Sequence, residues 1–226
     1  MTPAAFSWAL FRQAPIVGII RGLSRPVVET LLPLYRQAGL TNVEITMNTP
    51  DAEALIRYAV AHHADGLNIG AGTVCTVADL DRALAAGARF IVTPVVNKRV
   101  IRASVRRGVP IMPGAFTPSE IYQAWSLGAS LVKVFPCTAL GPGFIRDVKA
   151  PLNQIKLLPT GGVSLTNLAQ FFAAGADGVG IGSELFDKER IQAQDWPGLT
   201  AHFRKFLDQV PANVKKSDDS TPTEPA

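Results

Sequence analysis

Short apolar runs, rich in β-branched residues, recur along the chain at intervals of 20 to 27 residues. Each run is nearly continuous in apolar residues rather than alternating with polar ones, which is typical of parallel strands that helices cover on both faces. The pattern therefore predicts eight buried strands. They begin near Pro15, Asn42, Leu67, Phe90, Pro110, Leu131, Ile155 and Gly178.

Helical patterns fill the intervals between these runs. Val77, Leu80 and Leu84 are spaced to lie on one face of a helix, and Ile121 and Trp125 are spaced in the same way. Residues suited to cap helix N-termini precede the helical segments: Ser24, Thr76, Asn97, Thr117 and Ser164. Glycines suited to end a helix precede the following strands: Gly39, Gly87, Gly108, Gly128 and Gly175.

Eight evenly spaced strand–helix units predict an α/β fold of the closed (β/α)8 TIM-barrel type. An open, doubly wound sheet is the alternative, although such sheets rarely contain eight units so evenly spaced. Residues 3–13 form an amphipathic pattern that predicts an N-terminal helix covering the bottom of the barrel. We assign residues 1–210 to a single barrel domain. The polar, Pro-containing residues 211–226 are assigned to a disordered tail.

Composition narrows the class of protein. A chain of 226 residues with 47% hydrophobic and 18% charged residues suits one compact core. The net charge of +4 suits small anionic ligands. The sequence lacks a stripe of basic residues interleaved with aromatics, so it does not predict nucleic-acid binding. No apolar stretch reaches membrane-spanning length, and no secretory signal pattern opens the chain. Two cysteines without metal-ligand spacing predict reduced thiols, no bound metal and a cytoplasmic location.

Two ionisable residues lie inside predicted strands. Glu44 stands in NVEITMN, and Lys133 stands in SLVKVFP. Burial would raise the pKa of Glu44 toward a value useful for general acid–base catalysis. It would also favour the neutral, nucleophilic amine of Lys133. A buried structural ion pair between the two residues is an equally good interpretation of these positions alone.

Glycine-rich turns follow the seventh and eighth predicted strands, in PTGGV at residues 159–163 and GIGS at residues 180–183. Barrels often bind phosphate through the loops after these two strands, because such turns bring backbone N–H groups close to the anion. The candidate phosphate-binding residues are Gly161, Gly162, Gly182 and Ser183.

Two further strands end in polar groups that suit an anionic substrate. The third ends in GAGTV, which places the Thr73 hydroxyl at the mouth of the barrel. The first ends in Arg21, whose guanidinium has the fork geometry that suits a carboxylate or a phosphate. Because active sites of such barrels lie at the C-terminal strand ends, Arg21 is a binding candidate rather than only a solvated strand end.

Several of these segments together resemble one known family. VEITMN, GAGTV, TPVVN, PGAFTPSE, VKVFP and PTGGV agree in order and spacing with the 2-keto-3-deoxy-6-phosphogluconate (KDPG)/4-hydroxy-2-oxoglutarate (KHG) aldolases. The match runs from about Pro15 to Phe186 and so covers most of the chain. The resemblance implies a class I aldolase, which forms a Schiff base with its substrate and needs neither a metal nor another cofactor.

The resemblance also implies roles for individual residues. Lys133 would form the Schiff base with pyruvate, and Glu44 would shuttle protons. Thr73 would help to hold the pyruvate carboxylate, and the turns after the last two strands would hold the phosphate. We further expect Pro94 to shape the mouth of the site and Phe135 to pack near the imine.

One segment departs from the phosphogluconate-type pattern. Members of that type usually carry an arginine shortly after the strand-two glutamate, where this chain has Asn48. Arg21 is similar to the arginine of phosphogalactonate-type relatives, and we expect it to take over part of the anion binding beside Asn48. Thr160 is instead similar to phosphogluconate-type members, and its hydroxyl would bond a substrate hydroxyl.

The function implied by the resemblance is cleavage of KDPG to pyruvate and glyceraldehyde 3-phosphate, with KHG as a second substrate. The partners are therefore a small phosphorylated keto acid and pyruvate, and the family predicts a homotrimer. Three alternatives stay open. They are cleavage of the galactonate epimer, another reaction on a phosphate-binding barrel (an isomerase or a thiamin-phosphate-synthase-like enzyme), and a non-catalytic sugar-phosphate-binding barrel.

Overall fold

The computed structural model describes residues 5–212 and 214, within which strands and helices alternate. Their strands are β1 (Ile16–Ile20), β2 (Asn42–Thr46), β3 (Asn68–Gly72), β4 (Ile91–Val92), β5 (Ile111–Met112), β6 (Gly114–Ala115), β7 (Val132–Val134), β8 (Leu157–Pro159) and β9 (Val179–Ile181). A strand lies at each of the eight predicted runs. The fifth run is divided into β5 and β6, because Pro113 between them has no N–H group to donate to the ladder.

Helices connect the strands along most of the described chain. They are α1 (Trp8–Gln13), α2 (Arg25–Gln37), α3 (Ala52–His63), α4 (Val77–Ala85), α5 (Lys98–Arg106), α6 (Pro118–Ser126), α7 (Gly141–Lys149), α8 (Leu168–Ala173), α9 (Lys188–Gln192) and α10 (Trp196–Asp208). The side chains of Thr76, Asn97 and Thr117 cap α4, α5 and α6 as predicted. The predicted cap at Ser164 is wrong, because α8 begins only after Asn167.

All strand pairs in the sheet are parallel. Six strands pair in the order β5-β4-β3-β2-β1-β9, and three pair in the order β6-β7-β8. An isolated parallel bridge joins Thr160, directly after β8, to Gly180 of β9. The chain therefore has an α/β fold built on a curled parallel sheet.

Buried side chains pack on both faces of this sheet. The larger cluster joins the strands to the surrounding helices, as Ile45 of β2 and Leu31 of α2 illustrate. A smaller cluster includes Leu131, just before β7, and Leu158 of β8. Successive strand residues point to opposite faces, so Lys133 and Thr160 lie on the same face as this smaller cluster, two residues closer to the C-terminal strand ends.

The N-terminal helix begins at Trp8 rather than at residue 3, which itself lies outside the described residues. The Ser7 side chain accepts a hydrogen bond from the Leu10 amide and so starts the helix. The Ser7 amide also donates to Asn68 Oδ1 over 2.8 Å at the N-terminal end of β3. Phe11 joins the smaller buried cluster, and Phe6 packs against it. The helix therefore covers the N-terminal end of the strands, as predicted.

Two further predictions concern the C-terminal residues and the absence of membrane-spanning segments. Of the predicted tail at 211–226, only residues 211, 212 and 214 are described, so that prediction lies outside the described residues. Each helix within residues 5–212 and 214 is too short or too polar to span a membrane.

Candidate active site

A cavity of about 520 Å³ lies at the C-terminal ends of β1, β7, β8 and β9. This volume suits a small-molecule ligand. The cavity brings together eight residues that the sequence singled out: Arg21, Lys133, Phe135, Thr160, Gly161, Gly162, Gly182 and Ser183.

Lys133 occupies the centre of β7, where it pairs with Gly114 of β6 and Leu158 of β8. Its side chain lines the cavity although the residue is only 4% exposed. The Nζ atom lies 4.6 Å from the centre of the Phe135 ring. Burial lowers the pKa of Lys133, Arg21 lowers it further, and the Glu44 carboxylate raises it. Burial therefore favours the neutral amine, which is the nucleophilic form.

Glu44 occupies the centre of β2 and is 1% exposed. Burial raises the pKa of its carboxyl group, while the charges of Lys133 and Arg21 lower it. Glycine at position 72 is needed beside this group, because a Cβ atom there would collide with the Glu44 carboxylate. Within the described residues, Glu44 Oε2 is buried and has no hydrogen-bond partner. A buried polar atom without a partner is costly, which indicates a functional role.

The interpretation of Glu44 and Lys133 as a structural ion pair is not supported by their geometry. Each residue shifts the pKa of the other, so their charges lie within electrostatic range. Yet the ion pairs of the described residues all join other groups. The two side chains therefore influence each other through their charges without direct ion-pair contact.

Arg21 follows β1 and is exposed at the cavity wall. Its guanidinium forms no ion pair with another of the described residues, so its donors are available to an anionic ligand. The next residue is held in place because the Gly22 amide donates to Thr49 Oγ1 over 3.0 Å. Thr49 Oγ1 lies 2.9 Å from Thr46 Oγ1 of β2. Sequence reasoning missed Thr49, since no local pattern predicts a contact with residue 22.

The glycine-rich turns form a second polar region of the cavity. Gly161 and Gly162 have φ angles of 89° and 73°, in the left-handed region that favours glycine. A Cβ atom at Gly162 would lie 2.7 Å from Thr138 Cα, so a side chain there would also clash. Within the described residues, the amides of Gly161, Gly162, Ser183 and Glu184 donate to no backbone acceptor. Free amides of this kind suit a phosphate.

Four predicted site residues lie outside the cavity wall: the buried Glu44 of β2 and three residues that follow other strands. Asn48 is exposed in the turn after β2, Thr73 directly follows β3, and Pro94 lies two residues after β4. Thr73 has a φ of 56°, which is costly for a β-branched residue and is typical of functional sites. All three residues follow C-terminal strand ends, but the cavity itself is lined by other segments.

Sequence reasoning also missed several residues of the cavity wall. Leu23, Val163, Phe186 and Ile191 add apolar surface, and Glu184 and Lys188 add charge. Lys188 stands in DKER, a pattern that predicts only the start of an exposed helix. Its place in the cavity depends on how the chain turns after β9, which no local pattern reveals.

A curled parallel α/β fold with a buried lysine in a cavity at the C-terminal strand ends defines an α/β enzyme suited to carbonyl substrates. The model of the KDPG and KHG aldolase family matches residues 9–202. The chain belongs to this family.

Individual relatives agree with this assignment. The chain is 38% identical over 175 residues to a probable 2-dehydro-3-deoxy-6-phosphogalactonate aldolase of Rhizobium meliloti, covering 77% of this chain and 82% of that protein. It is 36% identical over 205 residues to a 2-dehydro-3-deoxy-phosphogluconate aldolase of Treponema pallidum, covering 89% and 97%. A solved KDPG aldolase from Legionella pneumophila, with pyruvate captured as a covalent carbinolamine, superposes with a TM-score of 0.81 at 26% identity, covering 88% and 96%.

Proposed function

We propose that this protein is a class I aldolase that cleaves KDPG to pyruvate and glyceraldehyde 3-phosphate, with cleavage of KHG to pyruvate and glyoxylate as a second reaction. The observation that carries this proposal is the buried Lys133 amine, with its lowered pKa, in the wall of a cavity. Membership of the KDPG and KHG aldolase family supports the same conclusion.

In the first part of the reaction, the neutral Lys133 amine attacks the C2 carbonyl carbon of the substrate. The carbonyl oxygen takes up a proton to give a carbinolamine, and loss of water then leaves a protonated imine. Glu44 carries the protons of both steps, because burial raises the pKa of its carboxyl group and so favours the protonated form that can donate a proton.

The protonated imine is the electron sink for bond cleavage. Removal of the C4 hydroxyl proton by Glu44, directly or through a water molecule, lets the C3–C4 bond break. The electron pair of that bond forms the pyruvate enamine on Lys133, and the aldehyde leaves as glyceraldehyde 3-phosphate. Protonation of the enamine at C3 and hydrolysis of the imine then release pyruvate and restore the amine.

Trapping of the imine tests this function. Borohydride added to the protein with pyruvate is expected to leave a reduced pyruvyl adduct that peptide mass spectrometry locates on Lys133. The same protein is expected to release pyruvate from KDPG. Absence of both the adduct and the cleavage would favour a different reaction or a non-catalytic barrel.

The galactonate epimer of KDPG is a second candidate substrate. Relatives named for that substrate match the chain at 37% and 38% identity. The family resemblance also likens Arg21 to the arginine of phosphogalactonate-type members. Thr160 favours the gluconate epimer instead. Its hydroxyl donates to the Leu158 carbonyl over 3.2 Å, so its lone pairs remain to accept a bond from a substrate hydroxyl.

We expect Thr160→Val to reduce the preference for KDPG over its galactonate epimer by roughly 5- to 100-fold, the equivalent of one lost hydrogen bond of about 1–3 kcal/mol. Valine keeps the shape of threonine, so packing against Gly180 should persist. The measurement is kcat/KM for both epimers, with Thr166→Val on the exposed surface as the control. An unchanged ratio would remove Thr160 from substrate selection.

We expect Arg21→Ala to raise KM for KDPG roughly 10- to 100-fold, because a charge-assisted hydrogen bond to the substrate carboxylate is worth about 1.5–3 kcal/mol. The fold should be unaffected, since the guanidinium is exposed. The measurement combines steady-state kinetics with thermal unfolding, and Arg102→Ala on α5 serves as the control. Unchanged kinetics would show that Arg21 does not bind the substrate.

We also propose the architecture, the oligomeric state and the location of this protein. The two sets of paired strands and the Thr160–Gly180 bridge support closure of the sheet into one (β/α)8 barrel, formed by residues 1–210 as a single domain. The family resemblance implies assembly into a homotrimer, and the exposed side chains of Val95, Phe116 and Tyr122 would suit an interface between copies. The two free cysteines suit a cytoplasmic location.

A further inference from the structure

The charged side chains of the cavity belong to different segments of the chain. Arg21 follows β1, Lys133 lies within β7, Glu184 follows β9, and Lys188 is the first residue of α9. Besides the buried amine of Lys133, the cavity wall carries two cations, Arg21 and Lys188, against the single acid Glu184 among the described residues, so it has an excess of positive charge that suits an anionic substrate.

Arg21 and Lys188 differ in their relation to the reacting groups. The charge of Arg21 acts on both Glu44 and Lys133, whereas the charge of Lys188 contributes to the pKa shift of neither. Arg21 is therefore the cation that is coupled to the reacting pair, and Lys188 stands on a separate segment of the cavity wall. The two cations are placed to bind different ends of an elongated substrate.

Lys188 lies close in sequence to two of the free amides of the second polar region. It lies four and five residues after Glu184 and Ser183, whose amides donate to no backbone acceptor within residues 5–212 and 214. Its ammonium group forms no ion pair with any of the described acids, although Glu184 lines the same cavity. Backbone amides supply only partial charges, whereas a phosphate monoester carries nearly two negative charges at neutral pH.

We propose that Lys188 binds the substrate phosphate and makes this protein select phosphorylated over unphosphorylated keto acids. This role rests on the proposed aldolase function. The ammonium group adds a full positive charge to the amides of the glycine-rich turns, and its four-carbon stem lets it follow the phosphate into the cavity. Arg21 remains available for the carboxylate at the other end of the substrate.

The test compares KDPG with 2-keto-3-deoxygluconate, which lacks only the phosphate. We expect Lys188→Ala to lower the ratio of the two kcat/KM values about tenfold, a modest effect because Lys188 is exposed and water screens its charge. Lys188→Arg should keep most of the preference. Lys205→Ala, which removes an exposed lysine of α10 away from the cavity, should leave the ratio within twofold of wild type.

The outcomes separate this role from the aldolase function. If the wild-type protein cleaves neither substrate, the aldolase function is wrong and the role of Lys188 is wrong with it. If the wild-type protein cleaves KDPG but Lys188→Ala changes the ratio by less than threefold, or lowers both kcat/KM values equally, only the role of Lys188 is overturned. A selective loss with KDPG that arginine restores supports the proposal.

Discussion

We expect Lys133→Ala to lower kcat/KM for KDPG cleavage by at least roughly 10⁴-fold, because the variant lacks the nucleophile that every covalent step requires. The borohydride-reduced pyruvyl adduct should disappear together with turnover. Neither Lys188 nor another lysine should replace the amine, since Lys133 alone among the lysines of the described chain is both buried and in the cavity wall. Pyruvate release is measured in a coupled assay, and the adduct is measured by mass spectrometry.

Loss of activity must be separated from loss of fold in this variant. Lys133 is buried in β7, so truncation to alanine leaves an empty volume that destabilises the protein. Lys133→Met keeps most of the side-chain volume and should be equally inactive while unfolding close to the wild-type temperature. Lys205→Ala controls for the loss of a lysine at the surface. Retro-aldol turnover by folded Lys133→Met would contradict the Schiff-base mechanism.

We expect Glu44→Gln to lower kcat by roughly 10²- to 10⁴-fold, the usual contribution of a positioned general acid–base group. Glutamine has nearly the same shape and fits beside Gly72, but its amide cannot exchange a proton with the substrate. The fold should be unaffected or more stable, because burial disfavours the ionised carboxylate that the substitution removes. Steady-state kinetics and thermal unfolding measure the two effects, and Glu29→Gln in α2, outside the cavity wall, is the control.

The pH dependence distinguishes proton transfer from an indirect effect on Lys133. The Glu44 carboxylate raises the pKa of Lys133, so its removal should lower that pKa further. Imine trapping with pyruvate should then set in at lower pH in Glu44→Gln than in wild type, because the neutral amine is present at lower pH. A variant that still forms the trapped adduct, but forms it and turns over slowly, has lost proton transfer rather than its nucleophile. Wild-type turnover in this variant would remove Glu44 from the mechanism.

The strand positions could be predicted because burial requires apolar residues within the strand itself. A strand covered on both faces must be apolar along its length, so its residues reveal it without knowledge of its neighbours. The same argument identified Glu44 and Lys133, since an ionisable residue in an apolar run is costly unless it is paired or used. The early start assigned to the N-terminal helix and the false cap at Ser164 both concern helix ends, where a single capping bond decides the boundary.

The sequence by itself determined which segments are buried, which two ionisable side chains lie among them, and which turns contain enough glycine to bring backbone amides to an anion. The tertiary structure alone decided that the charges of Glu44 and Lys133 interact without an ion pair. It also decided that Thr49 accepts a hydrogen bond from the amide of the residue after Arg21, and that Lys188 lines the cavity. The reason is physical. A residue's preference for burial belongs to its own side chain, whereas the distance between side chains on separate strands depends on the register and curl of the whole sheet.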